Sequence, residues 1–317
     1  MISLKRFSFF TFATLFALAC AAPCASAQQQ PLVRVPRPSQ KASVMQTIGV
    51  TDVTITYSRP GVKGRQIWGD ALPTQTAKGE ATLDNQNERP KDAVIVPWGH
   101  VWRAGANEAT MFVVTDDVLI NGQPLKAGTY SLHTVPGKDE WTIIFNNDAG
   151  QWGSFTYDEK KDALRVKTKP QMVSENQEWL MYSFDPLTDN SAQVNIRWEK
   201  TRVPFTVEVK DVRAVTLAKA RASVAAAKPD DWRTPLGAAN YALQNKDAEE
   251  GMSWLDQSIK VKETFQNLSA KAVALFNAGR KAEAFALADQ AIAKGKADKV
   301  DTANFEKRVA NMKAGKM

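Results

Sequence analysis

The stretch that decides the fold is 129–146, TYSLHTV-PGKD-EWTIIFN, which has the form of a β-hairpin. Apolar residues alternate with other residues on both sides of a four-residue turn, 136–139, as they do in half-buried strands. They are Tyr130 and Leu132 before the turn, and Trp141, Ile143 and Phe145 after it. Ser131 and His133 fall on the opposite face of the first strand. The stretch therefore predicts two antiparallel strands with one buried face.

The same alternation continues on both sides of this hairpin. Asn121-Gly122 is a strong signal for a two-residue hairpin turn, because both residues tolerate positive φ. Strand candidates cover 53–57, 94–96, 111–114, 118–120, 123–125, 129–135, 140–146, 164–169, 179–184, 192–199 and 205–209. Roughly ten short strands separated by turn residues favour an antiparallel β-sandwich or barrel over a parallel α/β sheet.

After Lys210 the composition changes abruptly to alanine-rich, helix-forming sequence. Leu243–Ile259 resembles Leu275–Ile292, with an offset of 32 residues at the start and 33 near the end. This period is typical of tetratricopeptide-like helix pairs, and the alternative is an unrelated bundle whose alanines align by chance. We expect a protein partner to bind through residues 230–295.

The predicted fold class is therefore α+β in two domains. The predicted segments are a signal peptide (1–27), a polar, proline-containing tether (28–42), a β domain (43–211) with a surface insertion (71–93), and a helical domain (212–317).

The N-terminus has the form of a secretory signal, with a charged start, an apolar core and small residues before Ala27. The apolar run is too short to span a membrane, so we expect no transmembrane segment and an exported, periplasmic or extracellular protein. A lipoprotein signal at Cys20 is an alternative to which the sequence is only a loose match. Cys20 and Cys24 both lie in the segment to be removed, so the exported chain has no thiol or disulfide.

The charge of the chain is mildly basic and scattered. The formal net charge is +7, and Lys5 and Arg6 contribute two of these charges to the signal peptide. No run of like charges and no nucleic-acid-binding motif is present, so nucleic acid is not an expected partner.

Polar candidates for a binding site concentrate in 97–110, PWGHVWRAGANEAT. Arg103 offers a fixed fork of donors for a small polar or anionic ligand, Asn107 can orient it, and Glu108 can act as an acid or base. The alternative is structural: Arg103 and Glu108 form an ion pair with each other, and Asn107 satisfies backbone groups of a turn.

Two other sets of residues are candidates for ligand binding. Arg59, Lys63 and Arg65 stand in a glycine-flanked loop, which can present cations to an anion or simply be a solvated basic loop. Tryptophans of the β region, with Trp102 among the site candidates, can stack on sugar rings, but core packing is the usual role for such residues. They are Trp68, Trp98, Trp102, Trp141, Trp152, Trp179 and Trp198.

Catalytic and metal-binding signatures are missing from the sequence. It has no nucleophile elbow, no zinc-protease motif, no phosphate-binding loop and no dinucleotide fingerprint. The two histidines, His100 and His133, are candidates for catalysis with Glu108, and the three residues together are a conceivable metal site that nothing in their spacing demands. No cofactor is predicted.

A family resemblance rests on a series of longer motifs. They are Ser58-Arg59-Pro60, Lys63-Gly64-Arg65, Ile67-Trp68-Gly69, Pro97-Trp98-Gly99, Val101-Trp102-Arg103, GANEAT (105–110), LKAGTYSL (125–132), Pro136-Gly137, Glu140-Trp141 and Ile144-Phe145-Asn146. Over roughly 43–210 the chain resembles the DUF2911 family. The resemblance implies an exported bacterial protein of unknown function, often with helical repeats after the β domain. It implies no catalytic residue.

The chain departs from the family pattern at two points. The insertion 71–93 separates motifs that are close together in other members, and position 98 is Trp where Tyr is commoner.

Three hypotheses of function follow from these patterns. In the first, the β domain recognises a small polar ligand or envelope component and the helical tail docks a protein partner. In the second, the protein is a hydrolase acting on a glycan or peptide with Glu108 as acid or base. In the third, it is a structural assembly factor without a small-molecule site. The first is our prediction, and it leans away from enzymatic activity.

Overall fold

The structure is a computed structural model that describes Val33, residues 35–73 and residues 92–316. The predicted signal peptide, the start of the predicted tether and most of the predicted insertion lie outside the described residues. The chain divides into two compact units, Met1–Arg37 and Pro38–Met317, and everything below concerns the second.

Residues 40–208 form an antiparallel β domain, as predicted. Its strands are β1 (Gln40–Ile48), β2 (Thr51–Arg59), β3 (Trp68–Gly69), β4 (Val96–Pro97), β5 (Thr110–Val114), β6 (Val118–Ile120), β7 (Gln123–Leu125), β8 (Gly128–Val135), β9 (Trp141–Asn146), β10 (Asp162–Thr168), β11 (Gln171–Leu187) and β12 (Ser191–Glu208). A short 3₁₀ helix, Glu159–Lys161, precedes β10. The first strand begins at Gln40, inside the stretch predicted to be a tether.

Two sheets enclose the core of the β domain. One has six strands in the order β1-β2-β5-β8-β9-β10, and the other has four in the order β11-β12-β6-β7. The short strands β3 and β4 form a separate parallel pair. The predicted central hairpin is confirmed, since β8 pairs with β9 in a register that places Leu132 opposite Phe145. Asn121 and Gly122 both have positive φ, as the predicted two-residue turn requires.

Tryptophans dominate one part of the core. The ring of Trp68 lies within 6.0 Å of the rings of Trp98, Trp102, Trp141 and Trp198, measured between centroids. Trp102 is stacked on Trp198 at 5.8 Å, with only 16° between the ring planes. Core packing, the alternative to sugar stacking, is therefore the role of these five indoles.

One prediction about the strands was wrong. The segments 192–199 and 205–209 were expected to be two strands, but nearly all of both lies in the continuous strand β12. Even-numbered residues such as Trp198 are buried in its first half and odd-numbered ones such as Phe205 in its second. Glu199 lies between the halves with φ 53°, and the ladder with β11 is irregular at this point. A bulge therefore shifts the alternation by one residue without ending the strand.

Six helices follow the β domain. They are α1 (Val212–Ala225), α2 (Arg233–Gln244), α3 (Ala248–Val261), α4 (Phe265–Asn277), α5 (Lys281–Ala297) and α6 (Ala303–Lys313). The closest packing is between α2 and α3 and between α4 and α5, so these helices form two successive pairs. The first helices of the pairs begin 32 residues apart, at Arg233 and Phe265. The second helices begin 33 residues apart, at Ala248 and Lys281. These offsets equal those of the sequence repeat.

The first helix fastens the helical domain to the β domain. Val212 packs against the β core. It lies so near Gly49 that a Cβ at Gly49 would be 2.5 Å from a Val212 methyl group. Lys219 of the same helix forms an ion pair with Asp116 at 2.7 Å. Within the described residues, no helix combines the length and the apolar character needed to span a membrane.

Candidate functional site

The predicted site stretch, 97–110, runs beside the central hairpin of the β domain. The backbones of Trp102 and Thr134 exchange hydrogen bonds at 2.8 and 2.9 Å, and the Gly99 amide donates to the Pro136 carbonyl at 2.8 Å. The indole of Trp102 is buried and donates to the Gly105 carbonyl at 3.2 Å. Trp102 is therefore a core residue, and it offers no face to a ligand.

Arg103 is held in place by its own loop. Its Nη1 donates to the Asn107 carbonyl at 2.7 Å, and its guanidinium lies 5.8 Å from the centre of the Phe155 ring. The same Asn107 carbonyl accepts from the Gly153 amide at 2.9 Å. Asn107 has φ 61°, and its side-chain amide donates to the Ser39 carbonyl at 3.2 Å. Asn107 thus acts mainly through its backbone conformation.

Gly153 lets the guanidinium lie against the backbone of the neighbouring loop. A Cβ at Gly153 would be 3.0 Å from Arg103 Cζ and from Phe155 Cε1, and its φ is +63°. Glu108 joins the same loop by an isolated backbone bridge to Trp152. Arg103 and Glu108 are both half-buried, whereas Trp152 is half-exposed.

His133 lies on the other side of this loop in a fully buried polar cluster. Its Nδ1 is 3.1 Å from the Ser154 hydroxyl and its Nε2 is 3.1 Å from the Ser131 hydroxyl. All three side chains are inaccessible to solvent. A general base needs access to the proton that it takes, so the burial of His133 disfavours a role with an external substrate.

Tyr157 covers His133 and extends the cluster towards β10. Its ring lies 5.1 Å from the imidazole. Its hydroxyl donates to Asp162 Oδ2 at 2.8 Å and accepts from Arg165 at 3.0 Å. Burial raises the pKa of the Tyr157 phenol, and the bond to Asp162 raises it further. Tyr157 is therefore a neutral hydroxyl that ties the 147–161 loop to the sheet.

The conceivable metal site of His100, Glu108 and His133 is not formed in the described residues. Across residues 35–73 and 92–316, no three His, Cys, Asp or Glu side chains are grouped in a way that could hold a metal ion. His100, Glu108 and His133 are all among these residues.

In the second basic cluster, formed by Arg59, Lys63 and Arg65, both guanidinium groups donate hydrogen bonds to backbone carbonyls. Arg59 Nε donates to the Leu180 carbonyl at 2.8 Å, and Arg65 Nη2 donates to the Gly61 carbonyl at 2.6 Å. The ammonium of Lys63 lies 5.5 Å from the centre of the Trp179 ring. These contacts tie the second basic cluster to the loop after β2 and to β11.

The comparisons with known proteins bear on this β domain. A family described as "Protein of unknown function (DUF2911)" matches residues 39–207, which is more than half of the chain. The chain belongs to the DUF2911 family. No curated protein matches it, and neither does any solved structure. The family identification confirms the predicted resemblance and assigns no activity.

The DUF2911 match ends before the helices, and the helical domain contains an open cleft. It is a groove of about 700 Å³. One wall comes from the end of α2 and the turn to α3, the floor comes from α4, and the opposite wall comes from α6. Phe265 of α4 and Phe305 of α6 are in edge-to-face contact at 5.7 Å, which fixes these two helices together.

The groove combines an apolar floor with polar side chains. Its larger apolar residues are Leu243, Val273 and Phe305. Its amides and cations are Asn240, Gln244, Lys246, Asn277 and Arg308. Within the described part of the chain, none of these five side chains has a hydrogen bond, ion pair or ring contact. They are all exposed. No Asp or Glu lines the groove.

The sequence predicted the region of the groove but not its residues. The expected partner-binding range, 230–295, includes the α2 and α4 walls and leaves out the wall from α6. The signal available was the helix repeat itself. Once α2 and α4 are recognised as equivalent first helices, α6 is the next such helix, and its exposed Arg308 faces the same cleft.

Proposed function

We propose that this DUF2911 protein is an exported binding protein whose helical domain docks an extended peptide segment of a protein partner. The observation that carries the proposal is the groove of about 700 Å³, with its amide side chains that the fold does not use. Export is part of the proposal and rests on the signal-like N-terminus.

The chemistry of the groove suits a peptide backbone. An amide side chain both donates and accepts, so it can pair with the N–H and C=O groups that an extended peptide leaves open. Asn240 and Gln244 stand on one wall and Asn277 at the end of the floor helix. Leu243, Val273 and Phe305 provide apolar surface for a side chain of the same peptide.

The test is selection from a random dodecapeptide display library on the intact protein, followed by calorimetric titration of the selected peptides. We expect enrichment of peptides whose affinity falls about thirtyfold in Gln244→Ala/Asn277→Ala, since the two lost hydrogen bonds cost about 1 kcal/mol each. The matched control is Gln257→Ala/Asn311→Ala, two exposed amides outside the groove. Equal losses in both variants, or no enrichment, would refute the proposal.

Recognition of a small polar ligand by the β domain stays a prediction. Its support is the fixed, half-buried guanidinium of Arg103, which lies against Gly153 and the ring of Phe155. The hydrolase alternative has Glu108 as acid or base with His100 or His133 assisting, and of these His133 is buried between two serine hydroxyls.

A further inference from the structure

We infer that the helical groove selects a peptide segment that carries acidic side chains on both sides of an apolar residue. This inference rests on the proposed function and adds the chemistry of the partner. Its starting point is charge: the groove is lined by two cations, Lys246 and Arg308, and by no carboxylate.

Half of the other Lys and Arg side chains of the helical domain form ion pairs with carboxylates, whereas Lys246 and Arg308 form none with the residues that the structure describes. One such pair joins Lys219 to the β domain, and the other seven lie within the helical domain, where they hold the helices together or cap them. They are Arg213–Asp247, Arg221–Glu250, Lys271–Asp256, Arg280–Glu283, Lys294–Asp298, Lys296–Glu306 and Lys313–Asp289. Lys246 and Arg308 have no such partner among the described residues, so a carboxylate from outside can pair with either of them.

The positions of the two cations set the spacing of the acidic residues. Lys246 follows α2 and Arg308 lies on α6, with α4 between these two helices as the floor of the groove. Neighbouring helices pack 8–10 Å apart, so the two walls are separated by about 20 Å. An extended peptide advances about 3.3 Å per residue and crosses this distance in about six residues.

The floor between the cations is apolar. Leu243 and Phe305 stand near the two cations, and Val273 lies on the helix between them. An apolar side chain midway between the two acidic residues would be buried there and gain the corresponding transfer free energy. The expected segment is therefore acidic at both ends and apolar in the middle.

The experiment is calorimetric titration of the intact protein with three N-acetylated, C-amidated octapeptides. Each has Leu at its centre, and the residues at both ends are Asp, the uncharged isostere Asn, or Lys. We expect the Asp peptide to bind at least tenfold more tightly than the Asn peptide, and the Lys peptide not to bind. Raising the salt concentration should narrow the difference in affinity between the Asp and Asn peptides, because exposed ion pairs are screened.

Two charge reversals locate the effect. Lys246→Glu/Arg308→Glu should abolish the preference for the Asp peptide. Lys260→Glu/Lys307→Glu makes the same change in charge at exposed positions outside the groove and should leave the preference intact. An Asn peptide with a free C-terminal carboxylate is titrated as a further control. If it binds as tightly as the Asp peptide, a chain terminus is the ligand and the inference is wrong.

The outcomes separate the inference from the proposed function. If the Asp, Asn and Lys peptides bind equally and all lose affinity in Gln244→Ala/Asn277→Ala, the groove binds peptides without charge selection, and only the inference fails. If no octapeptide binds, and the dodecapeptide selection is also empty, both fail. If the two charge-reversal variants behave alike, the attraction belongs to the overall charge of the protein, and the inference fails.

Discussion

At the scale of single residues, His133 shows how the β domain uses a polar side chain that the sequence marks as a catalytic candidate. The imidazole has no exposed surface and lies between two hydroxyls, that of Ser131 in β8 and that of Ser154 in the 147–161 loop. Buried polar groups are costly when they lose their partners, so the ring and the hydroxyls depend on each other. His133 is in this sense a cross-link between β8 and the 147–161 loop.

His133→Leu should therefore lower the free energy of unfolding by about 1–3 kcal/mol, because it leaves the buried Ser131 hydroxyl without its partner. Adding Ser131→Ala should restore about 1 kcal/mol, since no unsatisfied hydroxyl then remains at that position. Urea titrations of the three proteins measure both effects. A double variant less stable than His133→Leu alone would contradict this account.

At the scale of elements, glycine sets how closely the helices of the first pair approach. A Cβ at Gly251 of α3 would be 2.6 Å from Leu243 Cγ and 3.3 Å from the Ala239 carbonyl oxygen of α2. The α2–α3 contact is thus built around a missing side chain, and Leu243 is held where it lines the groove.

The same substitution at two helical glycines should have opposite effects. Gly251→Ala should destabilise by about 1–3 kcal/mol through overpacking and displace Leu243. Gly237→Ala, in α2, meets nothing within 4 Å and should stabilise by about 0.5–1 kcal/mol, because alanine favours the helix. Thermal unfolding compares the two variants with the parent protein. Equal shifts of the same sign would show that the close approach does not matter.

At the scale of the whole molecule, the ion pair Lys219–Asp116 joins the helical domain to the β domain. Burial raises the pKa of Asp116, but hydrogen bonds from Lys219 and Thr115 outweigh it and hold the pKa below the usual 3.8. A carboxyl with a lowered pKa in the folded state stabilises that state above its unfolded pKa. The stabilisation is lost as the pH falls through the folded value.

Asp116→Asn should therefore be less stable than the parent protein by about 1 kcal/mol at pH 7, the size expected for a partly exposed pair. The difference should shrink as the pH falls from about 4 through the lowered folded pKa of Asp116, because the parent carboxyl then becomes protonated in the folded state as well. Urea titrations at pH 7 and pH 3 give the two differences. Asp117→Asn, whose partner Lys126 is exposed on the same β domain, is the control and should show a smaller change. A difference as large at pH 3 as at pH 7 would exclude the ion pair as its cause.

Much of the architecture could be predicted because it follows from local periodicity in the sequence. The 129–146 hairpin, the Asn121-Gly122 turn and the paired helices all depend on alternation, turn chemistry and repeat length. The continuity of β12 could not be predicted in this way. A one-residue bulge at Glu199 changes which residues face the core, and local alternation then gives the appearance of two strands.

The candidate sites were harder to predict, because chemistry depends on what surrounds a side chain. Trp102 and His133 have the residue types of a site, yet both are buried in the fold. Asn240, Asn277 and Arg308 are ordinary residues of polar helix faces in the sequence. Only the packing of α2, α4 and α6 places them around one cleft without partners from their own chain.

The tryptophan cluster has a spectroscopic consequence. Five indoles of the β domain lie within 6.0 Å of at least one other ring of the set, close enough to share an absorbed photon before any of them emits. Their emission therefore follows the integrity of the sandwich as a whole. Among the described residues the α-helices lie within 212–313, so the ellipticity of these residues at the helix bands follows the helical domain. Trp232 and Trp254 add emission from the helical domain, so it is in Trp232→Phe/Trp254→Phe that light of two wavelengths can follow the two halves of this molecule separately in one cuvette.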